Sequence, residues 1–258
     1  MAVLEFRNVS KGFGTGTDRS EVLKNIDLSV EDGEFVVLLG FSGTGKTTLI
    51  NLMAGLTMPS EGEVVFKGKP ITGPGPERGV VFQRYSVFPH MTVRENILAG
   101  EGFATGWGKL FGAKRKAANE RADQMLARIG LNHVADQYPA SLSGGMQQRL
   151  AIGQALTAKP RVLLLDEPFG ALDPGTRLQM HDFLMELKAE TGMTVFMVSH
   201  DLEEAFKLGD RVLVFDKPRW DPVDPGLYGA TITYDFDARD KGIPFQNILD
   251  QYPSLVPA

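Results

Sequence analysis

The chain has 258 residues, of which 27 are Lys or Arg, 32 are Asp or Glu and none is Cys, and its formal net charge is −5. The absence of cysteine excludes disulfide scaffolds, thiolate zinc sites and thiol nucleophiles, and the acidic balance argues against a dedicated nucleic-acid binder. No apolar run in the sequence approaches the roughly 20 residues that span a bilayer, so we expect a cytoplasmic globular protein.

Two strands are predicted in the first thirty residues. Leu4, Phe6 and Asn8 alternate with the residues between them, and residues 23–30 repeat this period of two, which is typical of a half-buried strand. The glycine-rich stretch 12–18 between them predicts a loop. We therefore expect an antiparallel β edge at the start of the chain.

Buried strands and helices alternate through much of the remaining chain. Continuous apolar runs predict strands that are buried on both faces, at residues 35–39, 80–82, 162–165 and 194–198. Helical periodicity lies between and after these runs, at residues 47–54, 114–129, 146–157 and 176–190. Strands that alternate with helices indicate an α/β fold with a mainly parallel core sheet.

Two segments stand outside this alternation. Residues 92–158 show no convincing strand, so we predict a helical insertion there. The chain from residue 216 is rich in Pro, Asp and aromatic residues, which suggests an appendage at the edge of the fold. The predicted organisation is one domain over residues 1–215, which carries the insertion, followed by an appendage over residues 216–258.

A glycine-rich loop follows the predicted strand at residues 35–39 and precedes a helix. It matches the pattern G-x-x-x-x-G-K-[ST] in the context that a phosphate-binding loop requires. Glycines let successive backbone N–H groups turn toward a phosphate, and the helix N-terminus adds positive potential. Lys46 would contact the β- and γ-phosphates of a bound nucleotide, and Thr47 would ligate Mg²⁺. The predicted nucleotide-binding residues are Gly40, Ser42, Gly43, Thr44, Gly45, Lys46, Thr47 and Thr48.

Two adjacent carboxylates follow the buried run at residues 162–165. Asp166 ends the predicted strand and would reach the metal, which makes it a predicted Mg²⁺ ligand. Glu167 lies one residue further along, where it can polarise an attacking water. Two neighbouring carboxylates with separate roles favour hydrolysis over a kinase reaction.

A second helix start with free glycine N–H groups lies at residues 143–145. Ser143 is a good N-cap, and Gly144 and Gly145 beside it offer a further anion-binding helix start. In isolation this pattern is usually only a cap. Together with the motifs above, however, the segment 142–149 resembles the signature motif of ATP-binding cassette (ABC) ATPases. The resemblance covers roughly residues 3–215 and implies a P-loop NTPase with a RecA-like core.

The other motifs of that family follow in order and imply further roles. Gln83 stands where the family has a glutamine that senses the metal and the attacking water, so it is an implied metal ligand. Asp173 matches the aspartate loop, which acts across the subunit interface, and His200 matches the switch histidine that holds the γ-phosphate. Phe13 lies where the family stacks an aromatic ring on adenine, with a core phenylalanine as the alternative. The implied catalytic residues are Lys46, Gln83, Glu167 and His200.

The resemblance also implies a dimer and a membrane assembly. The sequence has two phosphate-binding helix starts but one lysine and one metal-binding carboxylate, and the family resolves this by placing ATP between the Lys46 loop of one subunit and Ser143 and Gly145 of a second. The implied partners are a second ATPase subunit, for which we expect a homodimer, transmembrane permease subunits and a periplasmic or lipoprotein solute-binding protein, with no nucleic acid. The implied location is peripheral, on the cytoplasmic face of the bacterial inner membrane.

The segment 85–91 allows two interpretations. It contains the apolar residues Tyr85, Val87, Phe88 and Met91. In transporters of the family this region forms a cleft for a short cytoplasmic helix of the membrane subunit. The alternative is that these side chains simply tether the helical insertion to the sheet.

The transported solute is the least defined expectation. Residues 70–83 and 163–173 resemble the bacterial importers of nitrate, sulfonates and taurine, and residues 219–230 resemble a branch associated with urea- and guanidine-type compounds. The alternative is a non-transport ABC ATPase that acts on nucleic acid or ribosomes. A P-loop kinase or GTPase is disfavoured, because it would lack the Ser143 motif.

Overall fold

The computed structural model describes residues 1–15, 19–83, 87–105, 113–219, 221 and 226–239. The strands are β1 (Ala2–Phe13), β2 (Ser20–Glu31), β3 (Phe35–Gly40), β4 (Glu61–Phe66), β5 (Lys69–Pro70), β6 (Arg78–Val81), β7 (Val162–Asp166), β8 (Thr194–Ser199), β9 (Arg211–Asp216) and β10 (Thr231–Asp237). The helices are α1 (Lys46–Ala54), α2 (Val93–Thr105), α3 (Ala113–Arg128), α4 (Gly144–Thr157), α5 (Pro174–Thr191) and α6 (Leu202–Leu208).

The chain divides into two compact units. The first comprises Met1–Leu49, Pro59–Pro70 and the chain from Phe196 onward, and the second comprises Ile50–Met58 and Ile71–Val195. Helix α1 and strand β8 each run from one unit into the other. None of the helices in the described ranges is both long and apolar enough to cross a membrane.

In the first unit, an antiparallel sheet with the order β2-β1-β4-β5 forms the β edge. The alternation along β1 ends at Asn8, which has a φ of 49° and is exposed, while Val9 is buried. The pairing with β2 shifts register between Phe6 and Val9, so a bulge reverses the faces of the strand at this point. Gly62 on β4 approaches the Asn8 carbonyl so closely that any Cβ would overlap it.

The first unit also contains strands in the order β10-β9-β3-β8. Strand β3 is buried along Phe35–Leu39 and pairs in parallel with β9, whereas β10 pairs antiparallel with β9. Strands β3 and β8 end at Gly40 and Ser199, which are followed by the glycine-rich loop and by His200. The two predicted functional segments of this unit therefore follow the ends of neighbouring buried strands.

In the second unit, β6 and β7 pair in parallel, with Val81 opposite Leu165. Helices α2, α3 and α4 surround a common core that includes Val93, Ile97, Leu126 and Leu150. No strand occurs in the described residues between 92 and 158. This unit therefore combines the strand end that carries Asp166 with a helical region that carries the Ser143 motif.

Most predicted elements differ from the observed ones only at their ends. Helix α4 begins at Gly144 rather than Met146, because Ser143 caps it directly. Helix α2 is an element that hydrophobic periodicity did not predict. Its start has a recognisable signal, since the Thr92 N–H donates to Glu95 Oε2 at 2.7 Å and the Glu95 N–H donates to Thr92 Oγ1 at 3.2 Å. This reciprocal pair is the capping box that a T-x-x-E sequence predicts.

Candidate functional site

The glycine-rich loop of the first unit closes around a buried cation. Lys46 is only 5% exposed, and its ammonium donates to the carbonyl oxygens of Gly40 at 2.7 Å and Phe41 at 2.9 Å. The Thr44 hydroxyl also donates to Phe41 O, at 2.9 Å. The loop therefore holds a cationic side chain beside its own backbone, an arrangement suited to an anionic ligand.

Three glycines of this loop have distinct physical reasons to be glycine. Gly43 has a φ of +81° with open space around its Cα, so the backbone conformation alone favours it. Gly45 combines a φ of +100° with a close approach, because a Cβ there would lie 2.6 Å from Val22 Cγ1. Gly40 lies against strand β9, where a Cβ would lie 2.5 Å from the Phe215 carbonyl oxygen. The loop shape is therefore set both by local φ angles and by packing.

His200 lies beside the same loop. A cavity of about 500 Å³ is lined by Gly40, Phe41, Ser42, His200, Asp216 and Tyr234, together with four other residues of this unit. The backbone on both sides of His200 is anchored, since Ser199 Oγ donates to Glu204 Oε2 at 2.5 Å and accepts from the Asp201 N–H at 3.0 Å. The structure thus places the predicted switch histidine and the start of the loop on one cavity.

The remaining predicted residues of the first unit are Phe13, Thr47 and Thr48. Phe13 is 47% exposed at the end of β1, so it is not a core residue, and the Lys11 ammonium lies 4.9 Å from its ring centroid. Thr47 is exposed and Thr48 is half-buried at the start of α1. An exposed aromatic face leaves the predicted stacking role for Phe13 available.

In the second unit, Gln83 and Glu167 contact each other although 84 residues separate them. Gln83 Nε2 donates to Glu167 Oε2 at 3.2 Å. Gln83 follows β6, Asp166 ends β7 and Glu167 comes next, so the parallel pairing of these strands brings the groups together. Asp166 is buried and Glu167 is half-buried.

Glu167 has an unfavourable backbone conformation. Its φ is +46°, in the left-handed region where a side chain with a Cβ costs about 1–2 kcal/mol. Backbone strain of this kind persists where the surrounding structure over-determines it and is frequent at functional sites. The strained position therefore agrees with the special role that the sequence predicted for this carboxylate.

The Ser143 motif also lies in the second unit and begins α4. Ser143 Oγ accepts from the Met146 N–H at 3.3 Å, while Gly144 is exposed and Gly145 is buried. A Cβ at Gly145 would overlap Cγ2 of Thr176 on α5. Close packing of two helices is thus a reason for this glycine that sequence reasoning missed.

Asp173 has a structural task besides the interface role that the family resemblance implies. It is the N-cap of α5, and its Oδ1 accepts from the Thr176 N–H at 3.1 Å. A hydrogen bond with the Thr176 side chain, followed by the backbone bond, holds the pKa of Asp173 below its ordinary value. Thr176 therefore contacts both Asp173 and Gly145 and joins two predicted motifs. The N-cap sequence D-P-x-T would have indicated this helix start.

The predicted Mg²⁺ ligands supply oxygen donors of the appropriate kind. Thr47 has a hydroxyl, Asp166 a carboxylate and Gln83 an amide oxygen, which are the hard ligands that Mg²⁺ accepts alongside phosphate and water. Over the ranges that the structure describes, no group of three or more His, Asp or Glu side chains is suited to hold a metal.

The segment 85–91 is only partly described, and Tyr85 lies outside the described residues. Val87 packs against the helical core of the second unit, as the tether interpretation predicted. Asn96 is fully buried and organises the turn before α2, since its Oδ1 accepts from the Phe88 N–H at 2.7 Å and its Nδ2 donates to Thr92 O at 2.9 Å. Sequence reasoning did not find Asn96, and a polar residue inside an apolar helical face was the available signal.

Comparisons with known proteins give a consistent result. The model of the ABC transporter family matches residues 23–170. The nitrate import ATP-binding protein NrtD of Synechocystis sp. is 43% identical over 211 residues, which cover 82% of this chain and 77% of the relative. The bicarbonate transport ATP-binding protein CmpC of Synechococcus elongatus is 48% identical over 209 residues, or 80% of this chain. The chain spans only 31% of the length of CmpC.

Solved structures of ATP-binding cassettes share the fold. A dimeric cassette in a post-hydrolysis state, bound to ADP and Pi, aligns with a TM-score of 0.76 at 30% identity over 92% of this chain and 99% of that one. A nucleotide-free cassette from an ABC transporter aligns with a TM-score of 0.79 at 26% identity over 100% of both chains. The mixed α/β fold with its parallel strands is therefore that of a P-loop NTPase.

Proposed function

The chain belongs to the ABC transporter family, and from that premise we propose that it is the ATP-hydrolysing subunit of a bacterial importer. The observation that carries ATP binding is the closed glycine loop with its buried Lys46 ammonium. On binding ATP, this ammonium would exchange carbonyl partners for the β- and γ-phosphate oxygens. Loop N–H groups and the N-terminus of α1 would add positive potential.

Mg²⁺, when bound with ATP, neutralises phosphate charge, and the Thr47 hydroxyl, the Asp166 carboxylate and the Gln83 amide oxygen would hold it. Thr47 and Asp166 belong to different compact units, so support for this ligand set comes from the sequence motifs and the donor chemistry. Gln83 uses its Nε2 for Glu167, which leaves its oxygen available as a ligand.

For hydrolysis we assign the general base to Glu167. Its carboxylate would accept a proton from the attacking water, and Gln83 would orient that carboxylate through the hydrogen bond already present. His200, which shares a cavity with the loop start, would donate a hydrogen bond to the γ-phosphate. Phe13 would stack on the adenine ring with its exposed face.

We further propose that two identical subunits act head to tail. The α4 start offers N–H groups of exposed Gly144 and the Ser143 hydroxyl but has no lysine of its own, so it suits a phosphate delivered by a second subunit. Asp173 would act at the same interface. A two-fold axis would then create two composite sites.

The second unit offers a surface for a membrane partner. A cavity of about 420 Å³ has the apolar residues Met91, Leu98 and Ala118 among polar groups that include His90 and Arg115. We propose that it receives a short cytoplasmic helix of a transmembrane permease subunit, because its mixed lining suits an amphipathic helix. With that partner, the chain would act at the cytoplasmic face of the inner membrane.

The relatives' names favour import over nucleic-acid or ribosome work. NrtD is named for nitrate import and CmpC for bicarbonate transport. We propose that the cargo of this chain's assembly is a small nitrogen- or sulfur-containing solute, such as nitrate, a sulfonate such as taurine, or a urea- or guanidine-like compound. A solute-binding protein would capture it.

A Glu167→Gln variant tests the proposed hydrolysis. We expect ATP turnover to fall at least about a hundredfold, because an amide cannot accept the proton, while ATP affinity stays within about twofold and an ATP-bound dimer accumulates. Steady-state ATPase assays, nucleotide binding and size-exclusion chromatography measure the three effects. Glu186→Gln, at an exposed position of α5, is the matched control. Turnover close to the unmutated rate would remove Glu167 from the base role.

Fractionation of cells tests the transport assignment separately. The chain should co-purify with membranes and with a multi-spanning partner, and His90→Ala with Met91→Ala should release it without altering ATP affinity. Retention with ribosomes or DNA would instead support the non-transport alternative.

A further inference from the structure

The second unit contains a cavity of about 560 Å³ that includes none of the predicted nucleotide residues. It lies among α3, the end of α4, the segment 159–161 that leads into β7, and the connection from α5 to β8. We propose that this cavity binds an organic anion, with one acidic group on a compact apolar frame. Cavities of this volume are typical of small-molecule sites.

The cavity lining carries an excess of positive charge. Its charged residues are Arg121, Arg128, Lys159, Arg161 and Glu101. Arg121 pairs with Glu101, and Arg128 pairs with Glu190, which lies outside the lining. The lining itself therefore has four cationic side chains and one carboxylate. Such an excess beside a low-dielectric surface attracts an anion.

The same cavity has an apolar floor. Leu156 and Met193 are 7% and 3% exposed, and Pro160, which also lines the cavity, is buried. The cationic side chains of Arg121 and Arg128 are partly exposed. A buried apolar floor below an exposed cationic rim matches a ligand with an apolar body and an acidic end rather than a fully hydrated inorganic anion.

Lys159 occupies an unfavourable conformation in this lining. It follows α4 with a φ of +52°, and its N–H donates to Leu156 O at 2.8 Å. Glycine is the usual residue at such a helix end. A lysine there retains a strained backbone and contributes a cation to the cavity, which agrees with a binding role.

Binding at this cavity would act on the strand that carries Asp166. The segment 159–161 continues directly into β7, and the Arg161 carbonyl accepts from the N–H of Thr194, the first residue of β8, at 3.1 Å. An anion held between α3 and this segment would therefore restrain the entry to β7.

The test measures binding of naphthalene-1-sulfonate to the full chain by titration calorimetry, with neutral naphthalene-1-sulfonamide and inorganic sulfate as comparison probes. Lys159→Gly should weaken sulfonate binding about tenfold, since one charge-assisted contact is lost, and leave sulfonamide binding unchanged. Lys67→Gly is the matched control, because Lys67 is also an exposed lysine with a left-handed φ of 47°. It should bind the sulfonate as the unmutated chain does.

A Lys46→Ala variant distinguishes this cavity from the phosphate-binding loop. Sulfonate affinity should be unchanged in it. The proposal is overturned if Lys46→Ala abolishes sulfonate binding, or if Lys159→Gly and Lys67→Gly bind the sulfonate with the same affinity. It is also overturned if sulfate binds as tightly as the sulfonate, or if none of the probes binds.

Discussion

The two anion-binding helix starts, at α1 and α4, differ in the side chains that accompany their backbone N–H groups. The α1 start is a loop that folds over its own cation, with the buried Lys46 ammonium bonded to Gly40 O and Phe41 O. The α4 start is an exposed cap, in which Ser143 accepts from the Met146 N–H. The first has both charge and backbone donors, whereas the second has donors without a cation.

This difference indicates how the two starts would divide their work. A site with its own buried cation can bind a nucleotide by itself, because the charge provides most of the attraction to phosphate. A capped helix start without a cation binds phosphate weakly and would act only when a partner presents it. We therefore expect mutations at α1 to abolish binding and mutations at α4 to abolish only the later steps.

The largest expected effect follows the change Lys46→Ala. ATP affinity of the isolated subunit should fall at least about a hundredfold, since charge-assisted hydrogen bonds to two phosphates are lost. Equilibrium binding with a fluorescent ATP analogue measures it. Lys67→Ala, an exposed lysine outside the loop, controls for net charge and should bind normally. If ATP affinity falls by less than about fivefold, Lys46 is not the main source of ATP binding.

The second prediction concerns Ser143→Arg, which should reduce ATP turnover to background but leave ATP affinity of the isolated subunit unchanged. An added arginine blocks the cap face that we assign to the partner's nucleotide. ATPase and binding assays on the same preparation measure both quantities. Ser141→Arg, at an exposed position two residues earlier, is the control. Lost binding in the isolated Ser143 variant would argue against action on a partner.

Mixing the two inactive variants sharpens this prediction. A dimer of one Lys46→Ala and one Ser143→Arg subunit has one site with both defects and one intact site. Random pairing should therefore restore about a quarter of the unmutated sites. Activity that stays at background would contradict the head-to-tail arrangement.

The third prediction separates glycine for packing from glycine for φ. Gly145→Ala should destabilise the protein by about 1–3 kcal/mol, because the new Cβ overlaps Thr176 Cγ2. Thr176→Ser removes that methyl and should recover most of the loss, as urea denaturation would measure. At the other helix start, Gly43→Ala has open space and should cost about 1 kcal/mol from backbone strain alone. If Gly145→Ala lowers the free energy of unfolding as much in the Thr176→Ser background as in the unmutated protein, the packing explanation is wrong.

The smallest effect is the pH dependence of the α5 cap. Because bonds from Thr176 lower the pKa of Asp173 in the folded state, the ionised cap stabilises the fold above the unfolded pKa of about 3.9. That contribution is lost as the pH falls through the lower folded-state pKa. Asp173→Asn keeps a cap but does not titrate, so the difference in melting temperature between the two proteins should shrink with acidification below about pH 4.

The local parts of the site were predictable from the sequence. The loop at residues 40–47, the Ser143 cap and the strand that ends at Asp166 all depend on φ preferences, capping and apolar runs within a few residues. The core strands and helices that sequence patterns predicted from residue 35 onward lie within two residues of the observed ones, whereas β4, β9, α2 and α6 were not predicted. The bulge at Asn8 was not predicted, since strand alternation contains no signal for one extra residue.

The sequence by itself therefore determined the family, the nucleotide loop and the order of the motifs. Only the tertiary structure decided which distant groups meet: Gln83 with Glu167, Gly145 with Thr176, and His200 with Gly40 and Tyr234 on one cavity. The physical reason is the separation along the chain of the residues that interact. Glycine conformation and helix caps are properties of neighbouring residues, whereas contacts across 31 or 84 positions depend on strand register and helix packing, which the whole chain sets together.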